Sequence, residues 1–359
     1  MQIIFSDKKF ICPSFIIQCF KLSEVEDAFA ELEKALKRGF FLAGFLSYEA
    51  GQAFEKTLAH NKTYQFPLLC FGAYYQPSKT AFFPASSRPK ISQFKINLTK
   101  TEYLAAINQI KNHLVAGNTY QVNYSFKHKF KLIGDPFALY QISRKKQTTA
   151  YSAFIQTKDF LVLSLSPELF FKKQSAKITV KPMKGTMALG KGNANKLKND
   201  AKSQAENVMI VDLLRNDLSR IAKVGSVKTV RLFEVERLKT LYQMTSTIEA
   251  QIPKDIKLFE LFRNLFPSGS VTGAPKIRTM EIIRDLEKEE RKIYCGAIGF
   301  ITPKKNMIFN VAIRTLLLTP CPWPAGTYHG EMGVGSGIVY DSNPEEEFAE
   351  CLLKAKFLV

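Results

Sequence analysis

Apolar and polar positions along the chain follow two periods, and the switches between them mark out the elements. Ser23 followed by Glu26 has the form of a capping box. Val25, Phe29, Leu32 and Leu36 then continue an apolar stripe to Gly39, which predicts a helix. Thr99 and Glu102 repeat that pattern, with Tyr103, Ile107, Ile110 and Leu114 leading to Gly117. Alternation takes over in Tyr124-Ser-Phe-Lys-His-Lys-Phe-Lys-Leu132. Phe126, His128 and Phe130 fall on one side and Lys127, Lys129 and Lys131 on the other, as in a half-buried strand with a solvated lysine face. Strands are expected at 40–48, 119–133, 151–155, 160–164, 177–183, 227–233, 241–249, 295–302 and 306–318. Further helices are expected at 195–215, at 256–265, from Pro275 to about residue 289, and at 344–357. The stretch 76–95 carries Pro77, Pro84, Ser86, Ser87 and Pro89 and reads as the one linker. Long strands in consecutive runs, with helices less regular than in βαβ units, predict an α+β fold with antiparallel sheets.

Composition narrows the class. Of 359 residues, 46% are apolar and 23% charged, which excludes disordered, collagenous and coiled-coil chains. No apolar run approaches the roughly 18 residues that span a bilayer, and Met1 to Phe10 has no secretory pattern. Cys12, Cys19, Cys70, Cys295, Cys321 and Cys351 form no CxxC pair, so they read as reduced thiols of a cytoplasmic protein. His60, His113, His128 and His329 are scattered, so any metal would be a hard cation held by carboxylates. The net charge is +19, and nine lysines face one aspartate, Asp200, between Lys172 and Lys202. That field suits a small anionic substrate, and more weakly a nucleic acid.

Four features bear candidate chemistry. In Pro182-Met-Lys-Gly-Thr186 a lysine sits between Pro and Gly at a strand end, where its amine can project from a sheet edge or simply meet solvent. Phe266-Pro-Ser-Gly-Ser-Val-Thr-Gly-Ala-Pro-Lys276 leads into a helix start, which suits an anion or a plain cap; it lacks the P-loop spacing. Gly333-Val-Gly-Ser-Gly337 is a second glycine cluster, without dinucleotide spacing. Glu347 and Glu350 share one face of the last helix with Lys354 one turn beyond, and Glu206 precedes an apolar helical run.

In order along the chain, Tyr120-Gln-Val-Asn123, Ser166-Pro-Glu168, Pro182-Met-Lys-Gly-Thr186, the run Ala205 to Asp217, Gly269-Ser-Val-Thr-Gly-Ala-Pro-Lys276, Tyr294-Cys-Gly-Ala-Ile-Gly299, Ala312-Ile-Arg-Thr315 and Gly335-Ser-Gly-Ile-Val-Tyr-Asp-Ser342 closely resemble the chorismate-utilising enzymes. The resemblance covers about residues 98–359. It implies two large antiparallel β-sheets packed as a sandwich and surrounded by helices. Residues 1–95 would complete the sandwich and 96–359 would form the catalytic region.

The resemblance also implies chorismate as substrate and magnesium (Mg2+) as cofactor. Glu206 and Glu347 fall where the family's metal ligands fall, with Glu350 beside them. Lys354 resembles a lysine that approaches the ring carboxylate. Arg314, Tyr294, Thr186 and the backbone of Gly335, Ser336 and Gly337 match positions around the enolpyruvyl group. Ser270, Gly185 and Gln121 complete the implied substrate contacts. Family members that add water to the ring carry a lysine where this chain has Gln121. Anthranilate synthases carry alanine where it has Lys184, whereas aminodeoxychorismate synthases carry lysine. Gln121 with Lys184 therefore resembles the second group, in which Lys184 would attack C2 of chorismate, Glu168 would protonate the departing 4-hydroxyl, and ammonia would enter at C4. Anthranilate synthase component I is the rival reading, and a basic nucleic-acid-binding protein a distant one. Gln243 stands where many relatives carry histidine. No signature of tryptophan feedback or of a glutamine amidotransferase is present, so ammonia is expected from a separate amidotransferase subunit, with neither nucleic acid nor membrane as partner.

Overall fold

The run Phe41-Leu-Ala-Gly-Phe-Leu46 has no polar position, and both of its faces are buried in the folded chain. Ala43 and Phe45 pack with Ile3, Phe5 and Val162, while Leu42 and Leu46 pack with Leu32, Leu36 and Phe262. A strand covered on both faces reads as a continuous apolar run, and this one sits between a second sheet and a layer of helices. The structure, a computed structural model, describes residues 1–79, 88–147, 149–239 and 241–356.

In chain order the strands are β1 (Gln2–Phe5), β2 (Lys8–Phe10), β3 (Phe15–Cys19), β4 (Phe41–Leu46), β5 (Leu69–Tyr74), β6 (Ser78–Lys79), β7 (Lys90–Ile96), β8 (Gln121–Ile133), β9 (Ala153–Gln156) and β10 (Leu161–Ser164). They continue as β11 (Leu169–Gln174), β12 (Lys177–Lys181), β13 (Met183–Ala188), β14 (Lys228–Arg237), β15 (Leu241–Gln251), β16 (Gly273–Ala274), β17 (Ala297–Ile301), β18 (Met307–Val311), β19 (Thr315–Pro320) and β20 (Thr327–Ile338). The α-helices are α1 (Val25–Lys37), α2 (Lys100–Val115), α3 (Pro136–Gln147), α4 (Asn193–Lys198), α5 (Ala201–Ser219), α6 (Leu258–Leu265), α7 (Lys276–Leu286) and α8 (Pro344–Ala355).

Two ten-stranded sheets result. One runs β16-β8-β20-β19-β10-β9-β1-β2-β6 with β7 also on β8; the other runs β13-β15-β12-β11-β18-β17-β4-β5-β3 with β14 also on β15. Phe5 and Phe10 of the first meet Phe300 of the second at 5.8 and 5.5 Å between ring centroids. The α+β sandwich expected from the sequence is the observed fold. The chain steps between the sheets six times among the described residues, and two of these steps, from β10 to β11 and from β18 to β19, run side by side. The two steps are laced together: Leu165 N donates to Arg314 O at 3.0 Å and Val311 N to Glu168 O at 3.1 Å.

Several expectations are corrected. The stretch read as one strand at 306–318 is β18 and β19 in different sheets, broken at Ala312-Ile-Arg314 where Arg314 takes φ +49°. The stretch 177–183 divides at Pro182, which has no N–H to donate, into β12 and β13. The helix expected at 195–215 is α4 and α5, because Asp200 caps a new helix through Ser203 N at 2.8 Å. At the first helix the box lies two residues earlier than expected: Glu24, not Glu26, accepts from Phe20 N and Lys21 N at 3.1 and 3.2 Å. The box at Thr99 and Glu102 is present as expected. The linker stretch contains β6 and much of β7; its residues 80–87 lie outside the described residues, as does residue 357 at the end of the last expected helix. Lys127 is not solvated: it is 5% exposed and pairs with Glu331 at 2.8 Å. β11, α3 and β20 were not anticipated as elements.

A buried ionic knot ties the segments together. Arg291 holds Glu287 through two bonds, 2.8 and 2.6 Å, and donates to the carbonyls of Val271 and Asn123 at 2.8 and 2.5 Å. Its guanidinium lies 4.3 Å above the Tyr48 ring. Arg291→Ala would strand Glu287 without its partner, and a cost of about 3–5 kcal/mol is expected. Urea denaturation should register that loss, whereas Arg215→Ala, removing an exposed pair with Asp212, should leave the midpoint unchanged.

Candidate active site

The residues singled out by sequence gather around the seam where the sheets exchange strands. Lys184 lies on β13, at the end of the second sheet. Pairing between β13 and β15 slips between Met183 and Thr186, so Lys184 and Gly185 form a bulge. Gly185 takes φ +77° there, a conformation that favours glycine. A Cβ on Gly337 would stand 2.2 Å from Gln121 Nε2 and 3.4 Å from Lys184 Nζ. A bare glycine at the end of β20 thus leaves room for the Gln121 amide, with the Lys184 amine at contact distance, and these two side chains come from different sheets.

Glu168 arrives by the β10–β11 step. Its backbone is pinned through Ser166, whose hydroxyl donates to Val311 O at 2.5 Å. The carboxylate is 4% exposed and accepts from Ser270 Oγ at 2.7 Å, and Ser270 in turn bonds Ser268 at 2.9 Å. Burial pushes the Glu168 carboxyl up to about 7, while the Ser270 bond and the charge of Lys184 pull it down. A carboxylic acid with such a value can hold a proton near neutrality and release it on demand.

Arg314 arrives by the other step. It donates from Nη1 to Gln147 Oε1 at 2.8 Å and, among the described residues, makes no ion pair. Its guanidinium is desolvated, which lowers its affinity for the proton. A half-buried cation without a carboxylate partner suits an anionic ligand.

Helix α8 closes another side. Phe348 packs on Tyr103 and Phe126 with centroids 5.0 and 5.8 Å apart. Lys354 donates to Gly335 O at 2.8 Å and pairs with Glu350 at 2.7 Å, and Glu350 lies in the fields of Lys184 and Lys202. Buried Glu347 accepts from Ser342 Oγ at 2.9 Å. Glu206 lies on α5 one turn beyond Ser203, the residue that abuts Gly185. α5 is keyed to β15 by Ser246 Oγ donating to Asn207 Oδ1 at 2.5 Å. Ser336 meets Tyr103 at 3.4 Å between oxygens.

Tyr294 is buried with its ring against Gly333, two residues before Gly335. Thr186 is exposed on β13. Glu206, Glu347 and Glu350 do not form a ready cage: among the described residues no three His, Cys, Asp or Glu side chains are gathered as metal ligands. Sequence reasoning missed Gln147, whose contact with Arg314 joins residues 167 apart, and Ser268, which bonds Ser270 within the loop that the sequence had marked.

The chain is similar to known proteins in sequence and in fold. Residues 75–359 match the family model for chorismate binding enzyme. Aminodeoxychorismate synthase component 1 of Salmonella typhimurium is 38% identical over 267 residues, covering 72% of this chain and 57% of that protein. An anthranilate synthase alpha subunit of rice, Oryza sativa, is 31% identical over 283 residues, covering 73% of this chain and 48% of that protein. The matches thus span about half the length of these relatives. The crystal structure of anthranilate synthase component I from Streptococcus pneumoniae superposes with a TM-score of 0.83 over 100% of this chain and 92% of that one, at 22% identity.

The state of Glu168 should be visible in stability. Folded, it keeps its proton up to about 7; unfolded, it releases it near the ordinary value of about 4.3. Between those values the folded state binds more protons, so its stability falls as pH rises through the window. Glu168→Gln removes that dependence. The variant should therefore gain more Tm over the parent at pH 8 than at pH 5, as read by calorimetry.

Proposed function

The chain belongs to the chorismate-binding enzyme family, and we propose that it aminates chorismate at C4 to give 4-amino-4-deoxychorismate, the precursor of 4-aminobenzoate in folate synthesis. The observation that carries this reading is the lysine bulge beside a buried carboxylic acid. Lys184 Nζ and Gln121 Nε2 converge beside Gly337, while Glu168, near 7, lies in the field of that lysine.

In this mechanism Arg314 and Lys354 receive the carboxylates of the substrate, and Ser270 holds Glu168 in orientation. As a free amine, Lys184 attacks C2. The ring double bonds shift, the C4–O bond breaks, and the proton of Glu168 leaves with the hydroxyl as water. Ammonia then bonds to C4 as the C2–N bond to Lys184 breaks, which returns the lysine. Glu168 recovers a proton from the incoming ammonia. The net change is the exchange of hydroxyl for amine, with water released. Ammonia comes from a separate glutamine amidotransferase subunit.

The donor set suits magnesium in type, since Glu206, Glu347 and Glu350 offer hard oxygens on two helices. Magnesium characteristically takes one or two carboxylates and completes its shell with water and substrate oxygens, so a full protein cage is not required. When bound, the ion supplies charge that fixes the ring carboxylate and eases loss of the hydroxyl. Among the described residues no helix is long and apolar enough to cross a membrane. All six cysteines are free thiols, which agrees with a cytoplasmic location.

Incubation with chorismate, magnesium and ammonium tests the reading. The expected product has the mass of aminodeoxychorismate; fluorescent anthranilate as sole product would transfer the assignment to the rival chemistry. With ammonia withheld, the parent should carry a covalent mass adduct on Lys184 and Lys184→Ala should carry none. Glu168→Gln should lower turnover by about 10²–10⁴-fold. Glu347→Gln should raise the magnesium needed for half-maximal rate roughly tenfold or more, and an unchanged requirement would remove Glu347 from the metal site.

A further inference from the structure

The bulge that carries Lys184 is not self-supporting. Met183 lies opposite Thr245 and Thr186 opposite Gln243, so two residues of β13 face the single Met244 of β15. The extra residue leaves ladder groups without their regular partners, and the Gly185 carbonyl is one of those groups. Gln243 meets it from the neighbouring strand: its side chain is buried, 4% exposed, and Nε2 donates to Gly185 O at 2.8 Å. A second, longer contact runs from the same nitrogen to Met244 O at 3.4 Å. On the far side of Gly185, Ser203 Oγ stands 2.6 Å from where a Cβ would be, so helix α5 closes that side. The bulge is thus held between a hydrogen bond from β15 and the first turn of α5.

We propose that Gln243 is a positioning residue that fixes the Lys184 amine by holding the Gly185 carbonyl. The inference rests on the reading of Lys184 as nucleophile. The physical reason is the asymmetry of hydrogen bonding: a half-buried carbonyl that loses this donor, its one side-chain partner among the described residues, must find water or move. Movement of the bulge displaces the adjoining lysine. A nucleophile displaced by about 1 Å can lose two orders of magnitude in rate while the substrate still binds. Gln243 therefore acts on the chemical step and leaves chorismate affinity to Arg314 and Lys354.

Two variants test this without emptying the site. Gln243→Met keeps the volume and removes the amide; Gln243→Glu keeps the shape and can donate only when protonated. With chorismate and no ammonia, adduct formation on Lys184 followed by intact mass should slow about 10–100-fold in Gln243→Met. In steady state with ammonia, kcat should fall by the same factor with KM within about twofold. The adduct rate of Gln243→Glu divided by that of Gln243→Met should rise as pH falls, because the neutral carboxyl regains a donor. A packing role alone would give a ratio that does not change with pH. Competitive labelling of lysines with an amine-reactive reagent, needing no chorismate, should change severalfold at Lys184 relative to Lys177 in Gln243→Met. Parent-like adduct rates in both variants, or unchanged labelling of Lys184, would overturn the proposal. Absence of any adduct in the parent would instead overturn the nucleophile reading, and the labelling ratio would still decide whether Gln243 holds the bulge.

Discussion

Arg291 is the constraint on which the arrangement of the site depends. A fully buried guanidinium must have every face satisfied, because an unpaired ion in a low-dielectric interior costs several kcal/mol. Here the partners come from four places in the chain: Glu287 just past α7, Val271 ahead of β16, Asn123 on β8 and the ring of Tyr48. Glu287 also accepts from the backbone and hydroxyl of Ser125 at 2.8 Å each. Glu49, itself buried, takes the N–H groups of Arg291 and Lys292 at 2.7 and 3.0 Å. Val271 adjoins Ser270, and Asn123 stands two residues from Gln121. The knot therefore fixes two candidate site residues at once and ties the amino-terminal segment to the rest of the fold.

The site is built where strands leave one sheet for the other. Each departure ends a ladder and frees backbone groups that must be paired again. The two departures pair with each other, through Leu165 and Arg314 and through Val311 and Glu168. Glu168 and Arg314 are thereby carried to the same seam by rigid strands. The positive φ of Arg314 is the local cost of that turn. The buried acid, the lysine on its bulge and the arginine without a carboxylate are each unfavourable for folding and each useful for handling an anion. Charge is distributed in the same sense: buried Lys127 and half-buried Lys276, paired with Glu331 and Asp217, serve the fold, while Lys184 and Arg314, which make no ion pair among the described residues, face the candidate site.

Much of this was legible in the sequence. The helical stripe at Val25, Phe29, Leu32 and Leu36 and the cap at Thr99 and Glu102 are local properties of side-chain period and hydrogen bonding, so they fold as read. The ordered motifs likewise carried the family and the sandwich. Tertiary structure decided what local pattern leaves open. Whether 306–318 is one strand or two depends on which sheet each half finds, and the break at Ala312 to Arg314 creates the site. Whether Lys127 meets solvent depends on Glu331, 204 residues away in sequence. The sequence marks Gln243 only as a departure from the family's histidine; its contact follows from a bulge on the neighbouring strand, which register determines. Period and propensity act over a few residues, whereas burial, register and charge pairing are settled only when distant segments meet.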